Sequence, residues 1–148
     1  MKYRETDVYK FLLKLLKTSH NLQVKAGDFL SQYNLTQVQF NALMILKHEE
    51  KKGCSQKVLG DHLSVKGPNI STLIKRLLKL EVITRTPNEN DDREKLIKLT
   101  NKGLKIITKI EPSYYKKVQT IFSEINHKRL KEAMAILNLI DENSKKAQ

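Results

Sequence analysis

The chain has 148 residues, of which 39% are apolar and 30% charged, and it carries a formal net charge of +12. These values suit a soluble, helix-rich domain, and a balance this basic favours a polyanionic partner, against the plainer reading of a solvated lysine-rich surface. A single cysteine, Cys54, excludes an internal disulfide framework, and no apolar run nears the ~20 residues of a membrane span, so a cytoplasmic protein without a signal peptide is expected.

Between Glu5 and Tyr33, apolar residues recur at Val8, Phe11, Leu12, Leu15, Leu22, Ala26, Phe29, Leu30 and Tyr33, which predicts one long amphipathic helix. Leu13 and Leu16 widen its apolar arc, so it needs partners on more than one side. Thr36 with Gln39 reads as a capping box, and Leu35 with Phe40 as a hydrophobic staple, opening a second helix that runs to about His48 and stops near Gly53. Ser55 is the next N-cap candidate, for a short helix expected to turn Val58, Leu59 and Leu63 inward. Gly60 inside it implies close approach to a neighbouring helix.

Ser64 to Lys66 read as a turn, and Gly67 and Pro68 fit the N-cap and first position of a fourth helix. Its apolar face is Ile70, Leu73, Ile74, Leu77 and Leu78. Pro68, Asn69, Ser71, Thr72, Lys75 and Arg76 lie off that face and have the chemistry of a base-reading helix. Val82–Thr86 and Lys95–Leu99 read as strands around a polar loop, with Pro87 ending the first. Thr100 should cap a fifth helix with Leu104, Ile107 and Ile110 inward, kinked or broken at Pro112. Asn126 should cap the last helix, whose Leu130, Ala133, Met134, Leu137 and Ile140 keep helical spacing. The two terminal segments lack partners for their apolar faces, which argues for a dimer.

Asp91-Asp92-Arg93, then Ile97-Lys98-Leu99-Thr100-Asn101-Lys102-Gly103, with Ile83-Thr84-Arg85 before them and Leu35-Thr36 and Phe40 earlier, resemble the signature of the MarR-type winged helix-turn-helix transcriptional regulators. The fold class expected is therefore mainly α (α+β), with a winged helix-turn-helix over 35–100 and a helical dimerisation platform from 1–34 and 101–148. The resemblance implies a sequence-specific, double-stranded-DNA-binding homodimer on a pseudo-palindromic site, most often a repressor in this family. It places the fourth helix in the major groove and Arg93 in the minor groove; a guanidinium suits that narrow, electronegative groove. Asp91 and Arg85 are assigned to wing structure, Arg85 as an ion-pair partner. Ser55, Gln56 and Lys57 are candidates for phosphate contact at a helix N-terminus.

The resemblance also suggests a pocket for a small aromatic or anionic effector, drawn from His20, Leu22, Lys25, Phe29, Tyr33 and Met44, although a core role for each is the simpler reading. This sequence departs from the family at Glu81, where Gly is common and a left-handed backbone is wanted, and at Lys66, which leaves Gly67 to cap. Some members sense peroxide through a cysteine in the first helix; this chain has none there, and Cys54 reads as a plain loop thiol. His20, His48, His62 and His127 lack metal-site spacing, and no phosphate loop, nucleophile elbow or carboxylate pair is present, so neither a metal, a cofactor nor an enzyme is expected. The competing functions are a winged-helix module that binds an acidic protein and a sequence-neutral architectural DNA-binding protein.

Overall fold

The computed structural model describes residues 6–49, 52–88 and 91–147, with the backbone alone for 91–93. Its elements are α1 (Asp7–Ser31), α2 (Gln37–His48), β1 (Cys54–Ser55), α3 (Gln56–Leu63), α4 (Pro68–Lys79), β2 (Ile83–Asn88), β3 (Asp91–Leu99), α5 (Asn101–Ile121) and α6 (His127–Lys146). They fall into two compact units, one ending at Ile110 and the other beginning at Glu111.

Local chemistry starts most helices where the sequence predicts. Thr36 Oγ1 accepts from the Gln39 N–H while Gln39 Oε1 accepts from the Thr36 N–H at 2.8 Å, which completes the capping box of α2. Ser55 caps α3, Thr100 caps the start of α5, and Asn126 caps α6. The first unit closes over Leu30, Phe40, Leu43, Leu46, Leu59, Ile74, Leu77, Ile97, Ile107 and Ile110, all essentially inaccessible. No helix among the described residues is long and apolar enough to cross a membrane.

The sheet differs from expectation in three ways. Its order is β1-β3-β2, all antiparallel, and β1 is a strand the sequence did not announce: Cys54 pairs with Ile97 and Ser55 with Leu96. Two residues carry no periodicity, so only the tertiary pairing defines them. Second, the hairpin strands are longer than predicted, and Pro87 continues β2 opposite Lys95 instead of ending it. β2 lies on the outside of the sheet, where a missing N–H costs no ladder bond. Third, the loop shrinks, because β3 already begins at Asp91.

Other expectations are corrected as well. Of the kink or short break expected at Pro112, the break is absent, since α5 runs unbroken through it; the helix is long enough on both sides of the proline to continue past one lost hydrogen bond. Val58 is not inward but 45% exposed, since an eight-residue helix with Leu59 and Gly60 buried turns Val58 outward. Cys54 is a buried strand residue, not a loop thiol. The terminal helices, by contrast, are as expected in leaving their apolar faces uncovered: no residue of α6 is buried, Met134, Leu137 and Ile140 lie exposed, and so do Phe11, Leu12, Leu13 and Leu16 of α1.

Candidate nucleic-acid interface

The site is built on the α3–turn–α4 unit. Ser64, in the left-handed region at φ 53°, ends α3, and the Val65 N–H returns to the Gly60 carbonyl at 2.9 Å. A Cβ on Gly60 would stand 2.7 Å from the Val65 carbonyl oxygen and 3.6 Å from Ile70. The close approach expected at Gly60 is therefore mainly to the turn, and it sets how tightly α4 folds back. Gly67 at φ 58° and Pro68 at the first position start α4 as predicted. Ile70, Leu73, Ile74 and Leu77 are buried beneath it, while Pro68, Asn69, Thr72, Lys75 and Arg76 are exposed together on its outer side. Ser71 borders that side, half-buried.

Ser71 is half-buried because it is bonded. Gln56 Nε2 donates to Ser71 Oγ at 3.0 Å, and Arg85 Nη2 of β2 donates to Gln56 Oε1 at 3.4 Å. A residue expected to touch phosphate thus joins the wing to α4, and among the described residues Arg85 meets the neutral amide of Gln56, while the acidic side chains of the wing loop, candidates for its expected ion pair, lie outside them. Sequence spacing could not show this, because the three residues are 15 and 29 positions apart. Ser55 leaves the exposed set altogether: it is buried, and its hydroxyl accepts from the Val58 N–H. Lys57 is exposed at the start of α3. Arg93 and Asp91 lie on β3, and their side chains fall outside the described residues.

The far end of α4 is held by a clasp. The Glu81 N–H bonds the Leu78 carbonyl at 2.9 Å and the Val82 N–H the Leu77 carbonyl at 3.3 Å, the paired bonds of a Schellman cap. Glu81 occupies the left-handed position at φ 58° itself, so the slightly different C-cap expected from glutamate in place of the family's Gly does not form: the cap is the usual one with a non-glycine residue in it. Thr100 Oγ1 donates to the Glu81 carbonyl at 2.7 Å and accepts from the Gly103 N–H at 3.1 Å, while the Thr100 N–H bonds the Val82 carbonyl at 3.1 Å. A Cβ on Gly103 would sit 2.1 Å from that Val82 oxygen. The Thr-x-x-Gly run is therefore the fitting that seats the base of the wing against the end of α4.

Of the residues suggested for an effector, several have the core role that was the simpler reading. Phe29 is buried and packs its ring against Tyr33 at 5.5 Å between centroids, a core pair, while His20 and Lys25 are exposed. A cleft of about 610 Å³ is lined by Gln23, Gln37, Val38, Asn41, Met44, Ile45, His62 and Leu63, sharing Met44 alone with the expected set. A second hollow of about 320 Å³ lies beside α4, between Thr36, Gln39 and Val65 on one side and Asn69, Thr72 and Arg76 on the other. Burial, followed by the negative charges of Glu49 and Glu94, pushes the Cys54 thiol up to about 11, so it stays protonated and unreactive at neutral pH.

Comparison with known proteins decides the family. Residues 26–110 match the model described as transcriptional regulator SarA/Rot, a span covering α2, the helix-turn-helix, the wing and the clasp. The chain belongs to the SarA/Rot family of transcriptional regulators. A relative within reach of this SarA/Rot protein is the HTH-type transcriptional regulator SarZ of Staphylococcus aureus, 29% identical over 121 residues, covering 82% of this chain and 77% of SarZ. SarZ of Staphylococcus epidermidis is 29% identical over 109 residues, 74% and 70% of the two chains. Among solved structures, the S. aureus MepR–DNA complex superposes with a TM-score of 0.81 at 25% identity, covering 96% of this chain and 99% of MepR. AbsC, a MarR family regulator from Streptomyces coelicolor, has the same fold, with a TM-score of 0.85 at 22% identity over 95% of this chain and 96% of its own. The winged-helix MarR-type architecture expected from the Asp91–Gly103 signature is thus the fold of this SarA/Rot chain, and the protein is a transcriptional regulator, not an enzyme.

Proposed function

We propose that this regulator is a homodimer that reads a pseudo-palindromic site in double-stranded DNA and represses transcription by occupying it. One observation carries the reading: α4 buries Ile70, Leu73, Ile74 and Leu77 and presents Asn69, Thr72, Lys75 and Arg76 together, beside a β-hairpin, in a chain of net charge +12. Short amides and hydroxyls reach base edges, and the flanking cations meet phosphate. The determined complex of MepR with DNA supports the same use of this fold. Lys57 adds a phosphate contact at the start of α3, and Arg93, from β3, enters the minor groove. The uncovered apolar faces of α1 and α6 supply the dimer contact, which fixes the separation of the two reading heads. The cleft around Met44 and His62 is of a size that holds a small aromatic or anionic effector, whose binding would release the DNA.

The test is binding to duplexes carrying two half-sites about 10 bp apart, against random duplex, as a function of salt. A steep salt slope with clear preference for the site is expected. Arg93→Ala should weaken binding by about 1–3 kcal/mol and relax preference beside the half-sites. Equal affinity for site and random duplex would reduce the protein to an architectural binder. Salt-sensitive binding to an acidic protein, with none to duplex, would leave only the protein-interaction reading.

A further inference from the structure

We infer that Gln56 is a positioning residue that sets the hydrogen-bond polarity of the base-reading surface, by leaving the Ser71 hydrogen free to donate towards the major groove. This rests on the DNA-reading role of α4 and deepens it. The inference follows from what each group can and cannot do. A guanidinium has N–H donors and no acceptor, so the amide end of Gln56 that faces Arg85 must be its carbonyl. At 3.4 Å the bond itself is long, but the cation would repel an amide NH₂ turned towards it, which fixes the flip. The NH₂ end is then the one 3.0 Å from Ser71 Oγ, so Ser71 accepts. A serine hydroxyl has one hydrogen and two lone pairs; the bond from Gln56 fills one lone pair, so Ser71 keeps its hydrogen, beside the second lone pair, to offer outward. Gln56 is the single hydrogen-bond partner of the Ser71 hydroxyl among the described residues. Ser71 lies in the first turn of α4, one turn before Lys75 and bordering its exposed side, which is where a recognition helix meets base edges.

Polarity has a chemical consequence. The free hydrogen can pair with N7 or O6 of guanine, N7 of adenine or O4 of thymine, contacts that a serine donating inward could not make. The wing strand, through Arg85 and Gln56, thereby helps decide which base α4 accepts, without either residue touching that base.

The experiment is selection from a duplex library randomised across the half-site, using the full-length protein and the variants Gln56→Glu, Gln56→Met and Ser71→Ala, with thermal melting of each. At one position the wild type should favour the acceptor edges of guanine or thymine by ~3–10-fold more than Gln56→Glu does, the worth of about one hydrogen bond. Ser71→Ala should flatten that position and leave the others. Gln56→Glu replaces the NH₂ by an acceptor oxygen, so Ser71 donates inward and turns its lone pairs out; preference at that same position should move towards the amino-bearing edges of cytosine or adenine. Gln56→Met, which keeps length and removes both polar ends, should weaken the preference there alone, and it decides the matter if the added charge of Gln56→Glu prevents enrichment. An unchanged preference in the Gln56 variants overturns the inference while leaving DNA reading intact. Uniform loss at every position, in step with a lowered melting temperature, also overturns it, since that is a merely structural role. A wild type that enriches no motif overturns the DNA-reading role and this inference with it.

Discussion

Replacing Gly103 by alanine tests the clasp at its tightest point. The added Cβ would stand 2.1 Å from the Val82 carbonyl oxygen, 3.0 Å from its carbon and 3.2 Å from Leu99 Cδ2. The first distance is more than an ångström short of ordinary contact, and the obstacle is backbone, which cannot swing aside as a side chain would. Moving that carbonyl away breaks its 3.1 Å bond from the Thr100 N–H and pulls the neighbouring Glu81 carbonyl from the Thr100 hydroxyl, now at 2.7 Å. Two lost hydrogen bonds are worth about 1 kcal/mol each. Forced overpacking adds ~1–3 kcal/mol, and alanine in place of helical glycine returns about 1 kcal/mol. The net expectation is a loss of ~2–4 kcal/mol on the same scales. Urea denaturation followed by far-ultraviolet circular dichroism, at one fixed protomer concentration, measures it. A change below about 0.5 kcal/mol, the scatter of ordinary surface substitutions, would mean that the clasp does not bear on stability as argued.

Glu81→Gly should stabilise the protein by roughly 0.5–1 kcal/mol in the same assay, because glycine relieves the left-handed backbone at φ 58°. The exposed Lys102 ion pair it loses is worth little, and a destabilised variant would show otherwise. The Cys54 thiol should react with iodoacetamide at pH 8 about 100-fold more slowly in the folded than in the unfolded protein, since two pKa units set the thiolate fraction; equal rates would contradict its burial. Its folded pKa is raised, so its contribution to stability is complete below pH 9.0 and is lost as pH climbs towards 11, which a pH series of urea midpoints would detect. Leu137→Asp in α6 or Phe11→Asp in α1 should shift the sedimentation coefficient from dimer to monomer, because each puts a charge on an exposed apolar face; an unmoved dimer would place the interface elsewhere.

What the sequence disclosed was whatever short-range chemistry decides. The Thr36–Gln39 box, the Gly67-Pro68 start and the Ser55, Thr100 and Asn126 caps each involve residues within one helical turn, so spacing alone reveals them. The amphipathic face of α4 was legible for the same reason. Features made by distant pairing stayed hidden: β1 exists because Cys54 and Ser55 lie beside Ile97 and Leu96, and Gln56 joins Ser71 to Arg85 across three elements. Val58 was misread because apolar character was taken for burial on a helix too short to bury more than one narrow side. The packing of Phe29 on Tyr33 agrees with the core role that was the simpler reading of those residues, although residue type does not reveal which ring meets which.

The shape of the small sheet bears on how this regulator can crowd onto DNA. A hairpin with a bare margin invites a second hairpin to zip onto it, and neighbouring copies on a promoter would bring such margins together. Here one margin, β1, is only two residues long, and the other, β2, carries Pro87 next to a register slip at Asn88. Neither offers a run long enough to template intermolecular pairing. Adjacent copies can therefore be packed closely along a duplex without their wings fusing, and any cooperation between them must pass through side chains or through the DNA itself.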